Sequence, residues 1–170
     1  SVGACSKRGM SENSALVKGV NRAWDTGLVV VVAAGNNGPR TMSITTPGIS
    51  RKVITVGCSD DDREVLVGGN RMVDYSGRGP TAACICKPDL VAPGCSVVSC
   101  AGRADKYTIK SGTSMSTPIV SGATALLLER YPDMTNKDVK LKLRESCTDI
   151  GLPRNQQGWG LLDVEKLVSK

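Results

Sequence analysis

An uninterrupted apolar run from Leu28 to Ala34 is the feature that most limits which folds this chain can adopt. The run does not alternate with polar residues, and this pattern favours a strand that is buried on both faces of a parallel sheet. An amphipathic helix is predicted just before it, over Ser11 to Thr26, and Gly27 separates the two. A helix followed directly by a buried strand is one arm of a βαβ unit. The chain is therefore predicted to form an α/β fold with a mostly parallel sheet.

The remaining patterns predict short elements within one domain that covers residues 1–170. We expect strands at 52–56, 96–99 and 107–110, a hairpin around 65–73, and helices at 114–130, 136–146 and after Asp163. The segments 77–80 and 87–94 are rich in glycine and proline and are predicted to be loops. No internal repeat or linker interrupts this order.

Composition excludes several classes of function. The net charge is +6, but the basic residues are scattered without interleaved aromatic residues, which favours a solvated surface over a nucleic-acid interface. No apolar segment approaches the roughly 18 residues that a membrane span needs. The seven cysteines form an odd number, and the chain has no histidine, so free thiols are favoured over a disulfide framework or a metal site.

Ser114 is the candidate nucleophile. It lies in the heptapeptide Gly-Thr-Ser-Met-Ser-Thr-Pro at 112–118, between a predicted strand and a predicted helix. A hydroxyl at a helix N-terminus is surrounded by unpaired N–H groups that favour developing negative charge. A serine at this position can equally be a helix cap with no chemical role. A serine hydroxyl also needs an adjacent base, and this chain contains no histidine to provide one.

Asn36 is the second candidate. It follows the buried strand in the sequence Gly-Asn-Asn-Gly, which by itself is typical of a turn. Open α/β sheets nevertheless gather their sites beyond the carboxyl ends of their strands. A side-chain amide at that edge can donate a hydrogen bond to the oxyanion that forms when a serine attacks a carbonyl.

Five segments together resemble the C-terminal part of a subtilisin-like serine protease, a subtilase. The heptapeptide at 112–118 resembles the nucleophile motif, and Ala33-Ala34-Gly35-Asn36-Asn37-Gly38 resembles the oxyanion motif. Segments 75–80, 87–94 and 158–164 resemble three further family segments in the same order. The resemblance implies the three-layer subtilisin-like fold, truncated at its N-terminal half.

The resemblance also implies roles for individual residues. Ser114 would attack a peptide carbonyl, and Asn36 would donate into the oxyanion hole. Ser1, Val2 and Gly3 resemble the strand that pairs with the substrate backbone. Ala33, Ala34 and Gly35 resemble the opposite wall of the primary specificity pocket, and Thr45 takes the place of its floor. Because a branched residue would make that pocket shallower, we expect a preference for small side chains before the cleaved bond.

The missing base has two explanations. In subtilisin the triad order along the chain is Asp, His, Ser, so both partners of Ser114 would lie upstream of this sequence. The alternative is a degenerate protease-like module that binds peptides or has a structural role. The expected partners are a peptide or protein substrate and the missing N-terminal half. Without that half, the apolar strand would expose an edge, and the fragment would self-associate.

The resemblance bears on cofactors and location as well. Calcium is common in the family, but its usual main site draws on upstream residues, so no cofactor is expected to bind to this chain itself. The family is mostly secreted, whereas the odd number of cysteines favours a reducing compartment.

Overall fold

The computed structural model describes residues 12–102 and 106–169 as a helix-and-sheet structure. Its helices are α1 (Ala15–Asp25), α2 (Thr113–Arg130), α3 (Asn136–Ser146), α4 (Arg154–Gln157) and α5 (Val164–Val168). Its strands are β1 (Val31–Ala33), β2 (Ile54–Cys58), β3 (Val65–Val67), β4 (Asn70–Met72), β5 (Leu90–Ala92), β6 (Val97–Cys100) and β7 (Tyr107–Lys110).

A parallel three-stranded sheet with the order β1-β2-β5 forms the centre of the molecule. Val31 of β1 pairs with Ile54 of β2, and Val56 of β2 pairs with Leu90 of β5. Every residue of β2 is buried, as expected for a central strand that is covered on both faces. The α/β fold with a parallel sheet is confirmed.

The largest core cluster lies between this sheet and the helices. Ile54 and Val56 of β2 pack with Leu90 and Ala92 of β5 against α2, whose inner face carries Val120, Ala123 and Leu127. Helices α3 and α5 add Val139, Leu143 and Leu167 to the same cluster. Since the sequence contains no Phe, these aliphatic side chains supply most of the buried area. Helix α2 is thereby held firmly against all three strands.

Two predicted elements differ from the structure. The segment 87–94, predicted to be a loop, contains the fully buried strand β5, which pairs in parallel with β2. Strand β5 has only three residues, which lie between two prolines, and three residues are too few to show an alternation of apolar and polar side chains. The predicted strand 28–34 is regular only over Val31–Ala33, because residues 28–30 have no ladder partner on the open side of β1 among the described residues.

The other predicted elements agree closely with the structure. Helix α3 has the predicted bounds, and Thr135 and Asp138 form a capping box at its start. Strand β7 also has the predicted bounds, and β3 and β4 form the predicted hairpin. Helix α1 begins at Ala15, with Ser14 as its N-cap, rather than at Ser11. The segment after α4 lies beside β5, where the Leu161–Val91 bridge extends the parallel arrangement.

Candidate active site

Ser114 lies in the first turn of α2 and is partly exposed. Strand β7 leads into Gly112, whose φ of 137° is unfavourable for any residue with a side chain. Met115 donates its N–H to the Gly112 carbonyl, which closes the turn around Ser114. The first N–H groups of a helix have no partner within the helix, so Ser114 is located where negative charge is stabilised.

Asn36 is brought to the same place. It follows β1, and its side-chain oxygen Oδ1 accepts two hydrogen bonds of 3.0 Å, from the backbone N–H and from the hydroxyl of Thr113. Because a backbone N–H can only donate, the atom that faces it must be the amide oxygen, and the NH₂ group must point elsewhere. Nδ2 lies 3.2 Å from the position of a Cβ built on Gly112. The amide donor therefore lies beside the residues that precede Ser114.

Thr113 is the site residue that the sequence did not reveal. Its hydroxyl donates to Asn36 and accepts the N–H of Gly35 at 3.1 Å, so one side chain connects the start of α2 to the end of β1. It is fully buried. The sequence does show that Thr113 stands at the start of a predicted helix, where its backbone N–H and its hydroxyl both need an acceptor. It does not indicate which residue provides that acceptor.

Thr45 lies against Ala34 and Gly35. Its N–H donates to the Ala34 carbonyl at 2.8 Å, and its hydroxyl donates to the same oxygen at 3.3 Å. A Cβ on Gly35 would come within 2.3 Å of the Thr45 hydroxyl, so only glycine fits beneath this side chain. Ala33 and Ala34 are buried, whereas Ser1, Val2 and Gly3 lie outside the described residues.

A buried polar network lies behind the turn that carries Ser114. The Gly94 carbonyl accepts the N–H of Gly112 at 2.9 Å and the hydroxyl of Tyr75 at 3.2 Å. The Cys58 thiol lies 3.1 Å from the same hydroxyl. Burial raises the pKa of Cys58 to about 12 and also raises the pKa of Tyr75. Both groups therefore keep their protons at neutral pH.

No base or metal site accompanies Ser114 in this part of the molecule. Within residues 12–102 and 106–169, its hydroxyl makes no hydrogen bond to a potential base, and no group of three or more His, Cys, Asp or Glu side chains could hold a metal ion. The six described cysteines are free, and none of the described helices is long and apolar enough to cross a membrane.

Comparison with known proteins shows the family of this chain. The profile of the subtilase family, peptidase S8, matches residues 1–160. Serine protease AprX of Bacillus subtilis (strain 168) is 41% identical over 147 residues, which are 79% of this chain and 33% of that protein. Subtilisin DY of Bacillus licheniformis is 35% identical over 159 residues, which are 92% of this chain and 53% of that protein. A halolysin-like protease of Natrialba magadii, named as extracellular, is 33% identical over 84% of this chain and 24% of that protein.

Solved structures show the same fold. Sphericase superposes with a TM-score of 0.76 at 29% identity, covering 96% of this chain and 55% of the other. A psychrophilic protease, S41, superposes with a TM-score of 0.75, also at 29% identity. The parallel sheet and the serine-bearing helix define the α/β class of serine protease folds. Within that class, this chain belongs to the subtilase family. It spans between about a quarter and about half of the length of these relatives.

Proposed function

We propose that this chain is the nucleophile-bearing part of a serine endopeptidase. Ser114 Oγ attacks the carbonyl carbon of a peptide bond, and a general base takes the hydroxyl proton. The tetrahedral intermediate collapses to an ester on Ser114, and the amine leaves with the proton from the base. Water then hydrolyses the ester and restores the serine. The observation that supports this most strongly is the contact of Asn36 with Thr113, directly beside Ser114.

The oxyanion hole would be formed by Asn36 and the first turn of α2. The two hydrogen bonds from Thr113 hold the Asn36 oxygen, so the amide NH₂ keeps a fixed orientation before substrate arrives. The backbone N–H of Ser114 is the natural second donor, because it belongs to the unpaired N-terminal turn. Donors that are fixed in advance stabilise developing charge without reorganisation, and this is usually a large part of the rate enhancement.

The base would come from polypeptide outside this sequence. The chain contains no histidine, and it spans only 33–53% of the two curated bacterial relatives compared above. In subtilisin the Asp and the His precede the Ser along the chain, so both belong to the part that is absent here. We accordingly propose that residues 1–170 alone do not hydrolyse peptides, whereas the protein with its upstream part does.

Thr45 would limit the primary pocket to small side chains. Its side chain lies against Gly35 and is 5% exposed, so it fills space that a glycine at this position would leave open. A shallower pocket disfavours large residues before the cleaved bond, since they would have to displace a packed threonine.

Hydrolysis of a peptide library by the longer protein, including its upstream part, tests this proposal. Ser114→Ala should remove the activity, with at least about a 10³-fold loss in kcat. Ser116→Ala is the matched control, because it changes a buried serine of the same heptapeptide whose hydroxyl has no hydrogen-bond partner among the described residues. It should leave kcat unchanged. Peptide binding without hydrolysis in the unmodified protein would instead support the degenerate binding module and refute the enzyme.

A further inference from the structure

Gly94 connects the turn that carries Ser114 to the buried interior. Its carbonyl accepts the N–H of Gly112, and its own N–H donates to Asp60 Oδ1 at 2.7 Å. Gly94 is therefore held on both sides of its α-carbon. A Cβ added there would come within 2.3 Å of Ser116 Oγ and 2.9 Å of Cys58 Sγ, so the backbone packs directly against α2 and β2. Any displacement of Gly94 would displace Gly112 and the turn after it.

Tyr75 supplies the second hydrogen bond to the Gly94 carbonyl. Its hydroxyl lies 3.2 Å from that oxygen, and its side chain is completely buried. The carbonyl can only accept, so the tyrosine proton must point towards it. The hydroxyl also contacts Cys58 Sγ at 3.1 Å, and Cys58 Sγ contacts Asp60 Oδ1 at 3.1 Å. The hydroxyl is thus fixed between the end of β2 and the turn before α2.

The hairpin β3–β4 shields this network from water. Val67, Cys58 and Tyr75 form one buried cluster, and Val65 and Met72 pack against it from the hairpin. A Cβ on Gly112 would lie 3.6 Å from Val67 Cγ1, so the hairpin also contacts the turn before Ser114. A hydrogen bond in such an apolar enclosure is stronger and holds its geometry better than one in water.

We propose that Tyr75 is a positioning residue for Ser114, acting through the Gly94 carbonyl and the Gly112 N–H. This inference rests on the proposed function, because it concerns the same nucleophile. Tyr75 itself would touch neither substrate nor the reacting atoms. It would fix Gly112 at its positive φ of 137°, and thereby fix the direction of the Ser114 hydroxyl relative to Asn36. A small misplacement of a nucleophile lowers the rate of reaction more than it lowers substrate binding.

Tyr75→Phe in the longer protein is the test, because it removes the hydroxyl and keeps the ring that fills the core. We expect kcat per titrated active site to fall about five- to tenfold, which corresponds to one lost hydrogen bond, with KM changed by less than about twofold. Tyr131→Phe is the matched control. Its hydroxyl contacts only the exposed Arg130 Nε among the described residues, at the far end of α2, so kcat should be unchanged.

The outcomes separate this inference from the proposed function. A lower melting temperature of Tyr75→Phe with unchanged kcat per active site would show a merely structural role and overturn the inference. If Tyr75→Phe does not fold, Cys58→Ala decides, because it removes the thiol that packs between the Tyr75 hydroxyl and Asp60 Oδ1, the two groups that hold Gly94, and should lower kcat about two- to threefold. An unchanged kcat would overturn the inference there too. Proteolysis that survives Ser114→Ala would refute the proposed function itself.

Discussion

Asn36 is the residue with two separable tasks. Its oxygen holds Thr113, and its NH₂ group is free of that contact and can donate to an oxyanion. A variant that removes the whole side chain changes both, whereas a variant that keeps an oxygen in place changes mainly the donor. The two effects can therefore be measured apart.

Asn36→Asp and Asn36→Ala should both lower kcat about 10²- to 10³-fold, a magnitude that derives from the corresponding donor in subtilisin itself. Asn36→Asp keeps an acceptor for Thr113, whereas Asn36→Ala removes it. The melting temperature of Asn36→Asp should therefore fall less than the melting temperature of Asn36→Ala. Steady-state kinetics and thermal unfolding check both points. A kcat within about threefold of the original in either variant would remove Asn36 from the oxyanion hole.

Thr45 determines the depth of the primary pocket in this account. Thr45→Gly should open the space above Gly35 and increase kcat/KM for substrates with large apolar side chains before the cleaved bond. One or two buried methylene groups are worth roughly 10- to 200-fold in discrimination. Profiling both proteins on the same peptide library measures the change. A library profile of the unmodified protein dominated by Phe or Leu would contradict the predicted preference.

At the scale of elements, a buried ion cluster connects β2, β5 and α3. Lys87 Nζ donates to Asp89 Oδ2 at 2.5 Å and to the Val53 carbonyl at 3.0 Å. Lys140 of α3 lies 3.5 Å from Asp89 Oδ1 and donates to the Val53 carbonyl as well. Burial lowers the pKa of Lys87 to about 8, despite the attraction of Asp89. Because of this cluster, the free energy of unfolding changes with pH in the alkaline range.

The direction of this pH dependence follows from the pKa of Lys87 in the folded and in the unfolded chain. Lys87 loses its proton near pH 8 when folded but near its ordinary value of 10.5 when unfolded, so folding is increasingly favoured between these values. The free energy of unfolding of the unmodified chain, minus that of Lys87→Met, should therefore rise as the pH rises from 8 to 10.5. Buried Cys58 and Cys147 have a raised pKa and act in the opposite direction, but they are present in both proteins. Denaturant unfolding across this range measures the difference, and a flat difference would contradict the account.

The same elements show what the sequence could predict. Helix α3 was predicted with its bounds because the capping residues at its start, Thr135 and Asp138, are a local signal. Strand β5 was missed because its assignment depends on pairing with β2, which is distant in sequence. Ser114 and Asn36 were selected as candidates from motifs. Thr113 and Tyr75 were not, since their partners are known only once β1, β2 and α2 are packed together.

At the scale of the whole molecule, the outer edge of β1 is open among the described residues. Strand β1 pairs only with β2 among the described strands, and Leu28 beside it is 60% exposed. A groove of about 710 Å³ runs along this edge between residues 28–31 and the outer side of α2. An apolar groove next to an unpaired strand is a template for association.

Residues 1–170 alone should therefore self-associate, as size-exclusion chromatography with light scattering would show over a range of concentrations. Leu28→Lys should shift the chain towards monomer, because it places a charge at the open edge. Leu66→Lys is the matched control, since Leu66 is 63% exposed on the hairpin β3–β4 and should not change association. A clean monomer of the unmodified chain at high concentration would contradict the prediction.

The most direct measurement is labelling with a fluorophosphonate, which reacts with an activated serine hydroxyl, followed by mass spectrometry to locate the adduct. One adduct per molecule is expected on Ser114 when the upstream part is present. No adduct is expected on residues 1–170 alone, which contain no histidine. Absence of the adduct from the longer protein, or an adduct on another serine, would contradict the assignment of Ser114 as the nucleophile.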